Sequence, residues 1–226
     1  DAIIPWLSYL SQGTLMTLAL AFFSASFGLL IAVMVNYLRQ TGKLTNVLAF
    51  YIDLFRGTPL LLQLSMMYYA IPRLISGVLN SVFGLEMMLQ LSPFQAAIIT
   101  FSLNSGAYVS EIIRAGMAAI PKGEIDAAKS LGVSKWQIFK DILLPVGLRN
   151  SFPSLINELI TLIKESSIVS LIGLLDLMRR QQIVTAQTFL YFEPLLVVGI
   201  IYYTLVKLIS FTGRLVERKW LYAYRT

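Results

Sequence analysis

Long uncharged apolar runs alternate along this chain with short stretches rich in lysine and arginine. No charged side chain occurs from Ala2 to Leu38, nor from Met87 to Ser110. A helix needs roughly 20 apolar residues to cross the hydrocarbon core of a bilayer, so both runs are long enough. The pattern predicts five spans, at Thr14–Leu38, Ala49–Ile71, Pro93–Met117, Asn150–Leu171 and Leu190–Phe211. Pro59 stands near the beginning of the second and Pro72 at its close. Pro153 falls in the first turn of the fourth, where proline is tolerated. The stretch from Pro72 to Pro93, with Gly77, Gly84 and Glu86, reads as an external loop holding an apolar half-helix. With no repeat, linker or low-complexity tract, residues 1–226 read as a single all-α, polytopic transmembrane domain.

Composition agrees. The chain is 57% hydrophobic and only 13% charged, against roughly a quarter charged in soluble proteins; its mean hydropathy is +0.72. The net charge of +6 sorts by side. Arg39, Lys43, Arg114, Lys122, Lys129, Lys135, Lys140, Arg149, Lys207, Arg214, Arg218, Lys219 and Arg225 fall on one side of the predicted spans, and Arg73, Arg179 and Arg180 on the other. The positive-inside rule makes the richer side cytoplasmic, with the N-terminus outside and the C-terminus inside. Trp6 and Tyr9 at one end, and Trp220, Tyr222 and Tyr224 at the other, suit interfacial anchoring. The first segment is too long, and lacks the basic start, for a cleaved signal peptide. There is no Cys and no His, which removes disulfides, thiolate metal sites and the usual proton shuttle. The basic charge belongs to cytoplasmic loops, so nucleic acid is not an expected partner.

One interruption stands out. Asp126 to Pro145 reads DAAKSLGVSKWQIFKDILLP, a soluble-looking stretch between apolar runs. Asp126, Ala127 and Ala128 begin a helix, with Glu124 and Asp126 near its positive end. Gly132 permits a tight break, and Ser134 can cap a second helix running to Leu144. Trp136, Phe139 and Leu143 then recur at helical spacing and form one apolar face; Lys135, Lys140 and Asp141 lie away from it. Taken alone, the pattern fits an amphipathic helix lying on lipid or a surface offered to a partner.

The spacing Asp-Ala-Ala, three residues, Gly132, nine residues, Ile142-Leu143-Leu144-Pro145 resembles the cytoplasmic coupling loop of bacterial ABC importer permeases, with Asp126 where the family has Glu. Three further stretches narrow the resemblance to permeases for polar amino acids. They are Phe55-Arg56-Gly57-Thr58-Pro59-Leu60, Tyr108 through Gly116 (YVSEIIRAG), and Lys164 through Gly173 (KESSIVSLIG). The last stands where the family carries Lys-Asp-Thr-Ser-Leu, and Glu124 stands where relatives often have Gln. The similarity runs from about Gly13 to Leu215.

That resemblance implies an inner-membrane assembly of two permeases and two ATP-binding cassette subunits. A second copy of this chain, or a merely similar chain, is expected as the second permease, and an external binding protein as the source of ligand. Within the coupling loop, about residues 121–149, the resemblance assigns contact with the ATPase to Asp126, Ala127, Ala128, Gly132, Trp136, Phe139, Leu144 and Pro145. The chain has no phosphate loop of its own: Gly42-Lys43 is followed by Leu44, and Tyr37 occupies the place of the first loop glycine. It is therefore expected to be a transport subunit and not an enzyme. ATP and Mg would be bound by the partner, and no cofactor by this chain.

Ionisable groups within a span cost about 2.5–3.5 kcal/mol at the helix centre on insertion scales, which makes them functional candidates. Glu158, with Asn157 and Thr161 on nearby faces of span four, and Asn104 and Thr100 of span three, can supply acceptors for an ammonium and donors for a carboxylate. Against this, Glu158 could contact the second permease, and Asn104 could make a helix–helix hydrogen bond. Lys164 and Glu165 read as gate-forming or structural. Glu111–Arg114 and Asp53–Arg56, each three apart, read as local ion pairs, with a gating role as the alternative. Gly28, Gly106 and Gly199 read as close-packing positions. The Asn157–Glu158 pair points to a cationic amino acid (arginine, histidine or lysine), with glutamine or another polar amino acid as the alternative. A stand-alone channel or secondary carrier is a further alternative, disfavoured by the outward-pointing loop. An integral-membrane enzyme would lack its usual parts.

Overall fold

The computed structural model describes residues 4–42, 44–84 and 88–222, with side chains through 219. Lys43, Glu86, Tyr224 and Arg225, and the side chains of Trp220 and Tyr222, lie outside the described residues. Among those described there is no strand. Helix α1 covers Leu7–Thr41 and ends at Gly42, whose φ of 75° lets its N–H return to Arg39 O at 3.1 Å. Helices α2 (Thr45–Gly57) and α3 (Leu60–Phe83) follow, then α4 (Pro93–Met117) and the short α5 (Lys122–Ser130). Helix α6 runs through residues 135–165 as Lys135–Gln137, a π segment Ile138–Leu143, and Leu144–Glu165. A 3₁₀ stretch, Ser166–Ile172, leads to α7 (Leu177–Thr188) and α8 (Phe192–Tyr222).

The third predicted span coincides with α4, which Ser92 and Gln95 cap reciprocally. The second does not survive as one rod. Its two halves, α2 and α3, meet at an angle of 107°. Thr58 and Pro59 are extended there, because a residue before proline is pushed out of the helical region and proline brings no N–H to continue the ladder. The predicted external half-helix is the continuation of α3 to Phe83.

Span four also departs from its expected bounds. The helix does not stop at Leu144 and restart at Asn150; it passes straight through Pro145. The π segment directly before Pro145 widens the turn where the ring would meet the carbonyl four residues back. The same device occurs in α3, where Met66–Ala70 is a π segment just before Pro72. Pro153 consequently lies inside the helix and not in its first turn. Span four ends at Glu165, its expected last turn being 3₁₀.

By length and composition, Ile4–Thr41, Pro93–Met117 and Phe192–Lys219 can each cross a membrane, and the bent α2–α3 pair can form a fourth crossing. Leu144–Glu165 is long enough but carries Arg149, Glu158, Lys164 and Glu165. Lipid supplies no hydrophobic drive between helices, so small residues and close backbone approach hold such bundles together. A Cβ at Gly28 would meet Ser105 at 3.1 Å, and one at Gly106 would meet Ile31 at 2.8 Å and the Tyr51 hydroxyl at 2.9 Å. A Cβ at Gly199, expected to pack in the same way, would meet nothing within 4 Å among the described residues. Gly116 and Gly147 carry the α4–α6 contact instead: a Cβ on Gly116 would collide with Ser151 Oγ and the Gly147 carbonyl. Leu20, Leu64, Phe101, Leu162 and Ile163 fill the core where α1, α3, α4 and α6 converge. Helix α8 leaves Leu195, Leu196, Ile200, Tyr203, Leu208 and Phe211 exposed, as a face toward lipid requires.

Candidate functional site: a polar stripe and the basic cavity at its foot

Helix α6 packs Ser151 against α4, where its hydroxyl donates to Ile112 O at 2.8 Å. A different face, through Ile156, meets Gly213 of α8. What remains open is polar. At about 100° per residue, Asn150, Ser154, Asn157, Glu158, Thr161, Lys164 and Glu165 fall within an arc of about 120°. Asn150, Ser154, Asn157 and Lys164 are exposed, while Glu158, Thr161 and Glu165 are partly buried. Glu158 lies beside Ser105 of α4, and the Glu165 carboxylate is close enough to act on it electrostatically. Among the described residues no lysine or arginine forms an ion pair with Glu158. Thr161 donates to Asn157 O at 3.1 Å, a bond within its own helix.

Asn157, Glu158 and Thr161 therefore share one surface; the span-three candidates do not join them. Thr100 is buried and donates to Ala96 O at 2.8 Å. The Asn104 amide donates to Phe55 O at 3.0 Å and to Gln63 Oε1 at 3.0 Å. Gln63 in turn donates to Phe55 O (2.9 Å), Thr58 O (3.1 Å) and Thr58 Oγ1 (2.9 Å). These two amides supply the donors that the broken span leaves wanting, as irregular backbone at membrane depth requires. Gln63 was missed by sequence reading, although a glutamine inside Leu60-Leu61-Leu62-Gln63-Leu64 is the signal that could have found it.

The end of α4 that carries Arg114 is strongly basic. Glu111 accepts from Arg114 at 2.7 and 2.9 Å, as its spacing predicts, and also from Arg39 of α1 at 2.5 Å. The expected Asp53–Arg56 pair is absent among the described residues. Arg56 instead places its guanidinium 5.4 Å from the centre of the Tyr108 ring. Arg56, Tyr108, Glu111, Arg114, Asn150 and Ser154 line a cavity of about 560 Å³, so the foot of the α6 stripe opens into it.

The Asp126–Pro145 segment folds locally as expected in its first half. Gly132 has φ 77°, and Ser134 forms a capping box with Gln137. Its apolar face, however, turns inward. Phe139 is fully buried and Leu143 nearly so, while Trp136 is half exposed and packs edge-on against Tyr37 of α1 at 5.0 Å. Ala128 is buried and Leu144 partly so; Asp126, Ala127, Gly132 and Pro145 are exposed, as is Leu131 at 84%. The outward surface thus comprises α5, the turn after it and the polar side of the first turns of α6, with Lys135, Gln137, Lys140 and Asp141. At the opposite end of the bundle, Arg180 of α7 donates to Tyr9 O, Gln12 Oε1 and Leu175 O at 3.0–3.2 Å and lies 4.3 Å from the Tyr9 ring centre. Sequence separation hides this clamp.

The described residues thus form a helical bundle with a broken span, a polar stripe along α6 and one short polar helix, α5, between α4 and α6. Residues 24–222 match the model of the binding-protein-dependent transport system inner membrane component, and the chain belongs to that family. It is 46% identical over 220 residues to a Rickettsia conorii chain that carries a provisional glutamine transport system permease (GlnP) name, covering 95% of this chain and 94% of the relative. It is 43% identical over 221 residues to the arginine transport system permease protein ArtQ of Bacillus subtilis, covering 97% and 95%. Its fold matches a chain in the crystal structure of an amino acid ABC transporter with histidines at TM-score 0.79 and 34% identity, with 96% of each chain covered.

Proposed function

We propose that this permease of an amino-acid ABC importer passes a cationic amino acid along the α6 stripe, with Glu158 receiving the positive side chain. The observation that carries the reading is Glu158 itself: a partly buried carboxylate on α6, beside Ser105, with no cation of the described residues paired to it. Such a group calls for a partner from outside the chain. Asn157 and Thr161 flank it on the open face. The ArtQ relative's name supports a cationic cargo; glutamine is the second reading, favoured by the names of the GlnP relatives.

ATP hydrolysis belongs to a separate subunit, which binds ATP and Mg. Its docking surface on this chain is the exposed part of the coupling segment, from Asp126 through Gly132. The stripe is completed by a second copy of the chain, with an external binding protein delivering ligand at the end that carries Arg180. The basic end, with Arg39, Arg114 and the coupling segment, lies in the cytoplasm. Replacing Glu158 by Gln tests the cargo assignment. Uptake of arginine by the reconstituted assembly is expected to fall about tenfold or more, the value of one charge-assisted contact, while glutamine uptake changes little. An unchanged arginine-to-glutamine ratio removes Glu158 from specificity.

A further inference from the structure

The cavity at the foot of the stripe has a size and a charge that the passage of cations along α6 does not require. Its volume of about 560 Å³ lies within the roughly 300–1,000 Å³ of small-molecule sites. Arg56 and Arg114 line it together with Glu111, and that carboxylate is already engaged, since Glu111 accepts from Arg114 and from Arg39 of α1. Arg56 is left without an anionic partner among the described residues.

Its guanidinium nevertheless has a defined place. It lies over the Tyr108 ring, and the Tyr108 hydroxyl approaches Arg56 O at 3.5 Å. Stacking on a ring face leaves the in-plane N–H fork unused, and that fork matches a carboxylate in two-point contact. Also lining the cavity, Asn150 donates its amide N–H to Gly116 O at 3.0 Å, which leaves its amide oxygen as an acceptor. Ser154 adds a hydroxyl one helical turn from Glu158.

Resting on the importer reading above, we propose that this cavity is an exit subsite that holds the α-carboxylate of the amino acid on Arg56 and its α-ammonium on Asn150 and Ser154. The surplus of guanidinium groups makes it a poor place for a cationic side chain. Its preference therefore runs opposite to that of Glu158: a neutral amino acid such as glutamine is held more tightly than arginine, and a cationic cargo is let go.

The experiment uses the assembled permease, ATPase and binding protein in vesicles with ATP and Mg inside, so that the vesicle interior corresponds to the cytoplasm. Labelled uptake is measured with and without unlabelled amino acid preloaded inside, and each variant is scored by its own preloaded-to-empty ratio. Preloaded glutamine is expected to slow uptake at lower concentration than preloaded arginine, and a primary amine of similar size without a carboxylate is expected to have no effect. Arg56→Gln should raise the concentration needed about tenfold or more, with Arg56→Lys between the two. Should R56Q fail to assemble, Tyr108→Leu, which removes the ring but no charge, is expected to weaken the effect several-fold.

A ratio that ignores preloading, or one unchanged in both Arg56→Gln and Tyr108→Leu, overturns the subsite while leaving the importer reading standing. Absence of any ATP-driven amino-acid uptake by the unmodified assembly would instead remove that reading. The assay is repeated in vesicles with and without anionic phospholipid. A preload effect seen only when the anionic lipid is left out assigns the cavity to a lipid headgroup and overturns the proposal.

Discussion

Two arginines bracket the bundle, each stacked on a tyrosine ring, and the contrast between them separates architecture from availability. Arg180 directs N–H groups to Tyr9 O, Gln12 Oε1 and Leu175 O while lying 4.3 Å from its ring. Arg56 lies 5.4 Å from its ring and borders an open cavity, and no carboxylate of the described residues pairs with it. Residue type and stacking partner are the same. What differs is how many of the five donors the fold consumes. A satisfied guanidinium fastens one helix to another; an unsatisfied one is kept in place by packing and remains able to take a ligand.

The strongest way to break this contrast is Arg180→Ala. It removes the hydrogen bonds of a charged donor at the α1–α7 junction, so a loss of about 2–3 kcal/mol is expected. Thermal unfolding of the detergent-purified protein should show this as a fall of about 4–12 °C. Equal melting temperatures would mean that the clamp is ornamental. An intermediate effect is expected for Arg39→Gln, because Glu111 keeps Arg114 as a partner. The cost should be about 1 kcal/mol or less, as for partly exposed ion pairs, and it should shrink further at high salt. A larger cost that salt does not touch would show that α1 and α4 depend on this link. The smallest effect on stability belongs to Arg56→Gln, within about 0.5 kcal/mol. A loss as large as that of Arg180→Ala would place Arg56 among the structural residues and erase the distinction.

The helices long and apolar enough to cross were legible: α4 matches its expected bounds, α1 contains its span, and α8 covers all but the first two residues of its span. The Glu111–Arg114 pair was legible too, because it is three residues apart on one helix. Misreadings share a cause. Pro59 reads as an early residue of a continuous span, yet the break it makes is tolerable only because Asn104, from a helix 41 residues beyond Gln63, shares with that glutamine the task of satisfying Phe55 O. Pro145 reads as a terminator, yet a π turn carries the helix through it. Arg56 reads as a local partner of Asp53, yet Tyr108, 52 residues away, takes it. The apolar face of Trp136, Phe139 and Leu143 reads as a docking surface, yet two of the three are buried against the chain's own bundle.

Apolar runs, proline positions, cap residues and helical spacing act over a turn or two, so the sequence by itself determined that this is a helical membrane protein with a polar, capped segment between two apolar helices. It also determined that Asn157, Glu158 and Thr161 lie on one side of their helix. Only the tertiary structure decided which of these polar groups are already spent. Hydrogen-bond capacity is finite and is consumed by partners distant in sequence: Asn104 and Arg180 are used up by the fold, while Glu158 and Arg56 are not.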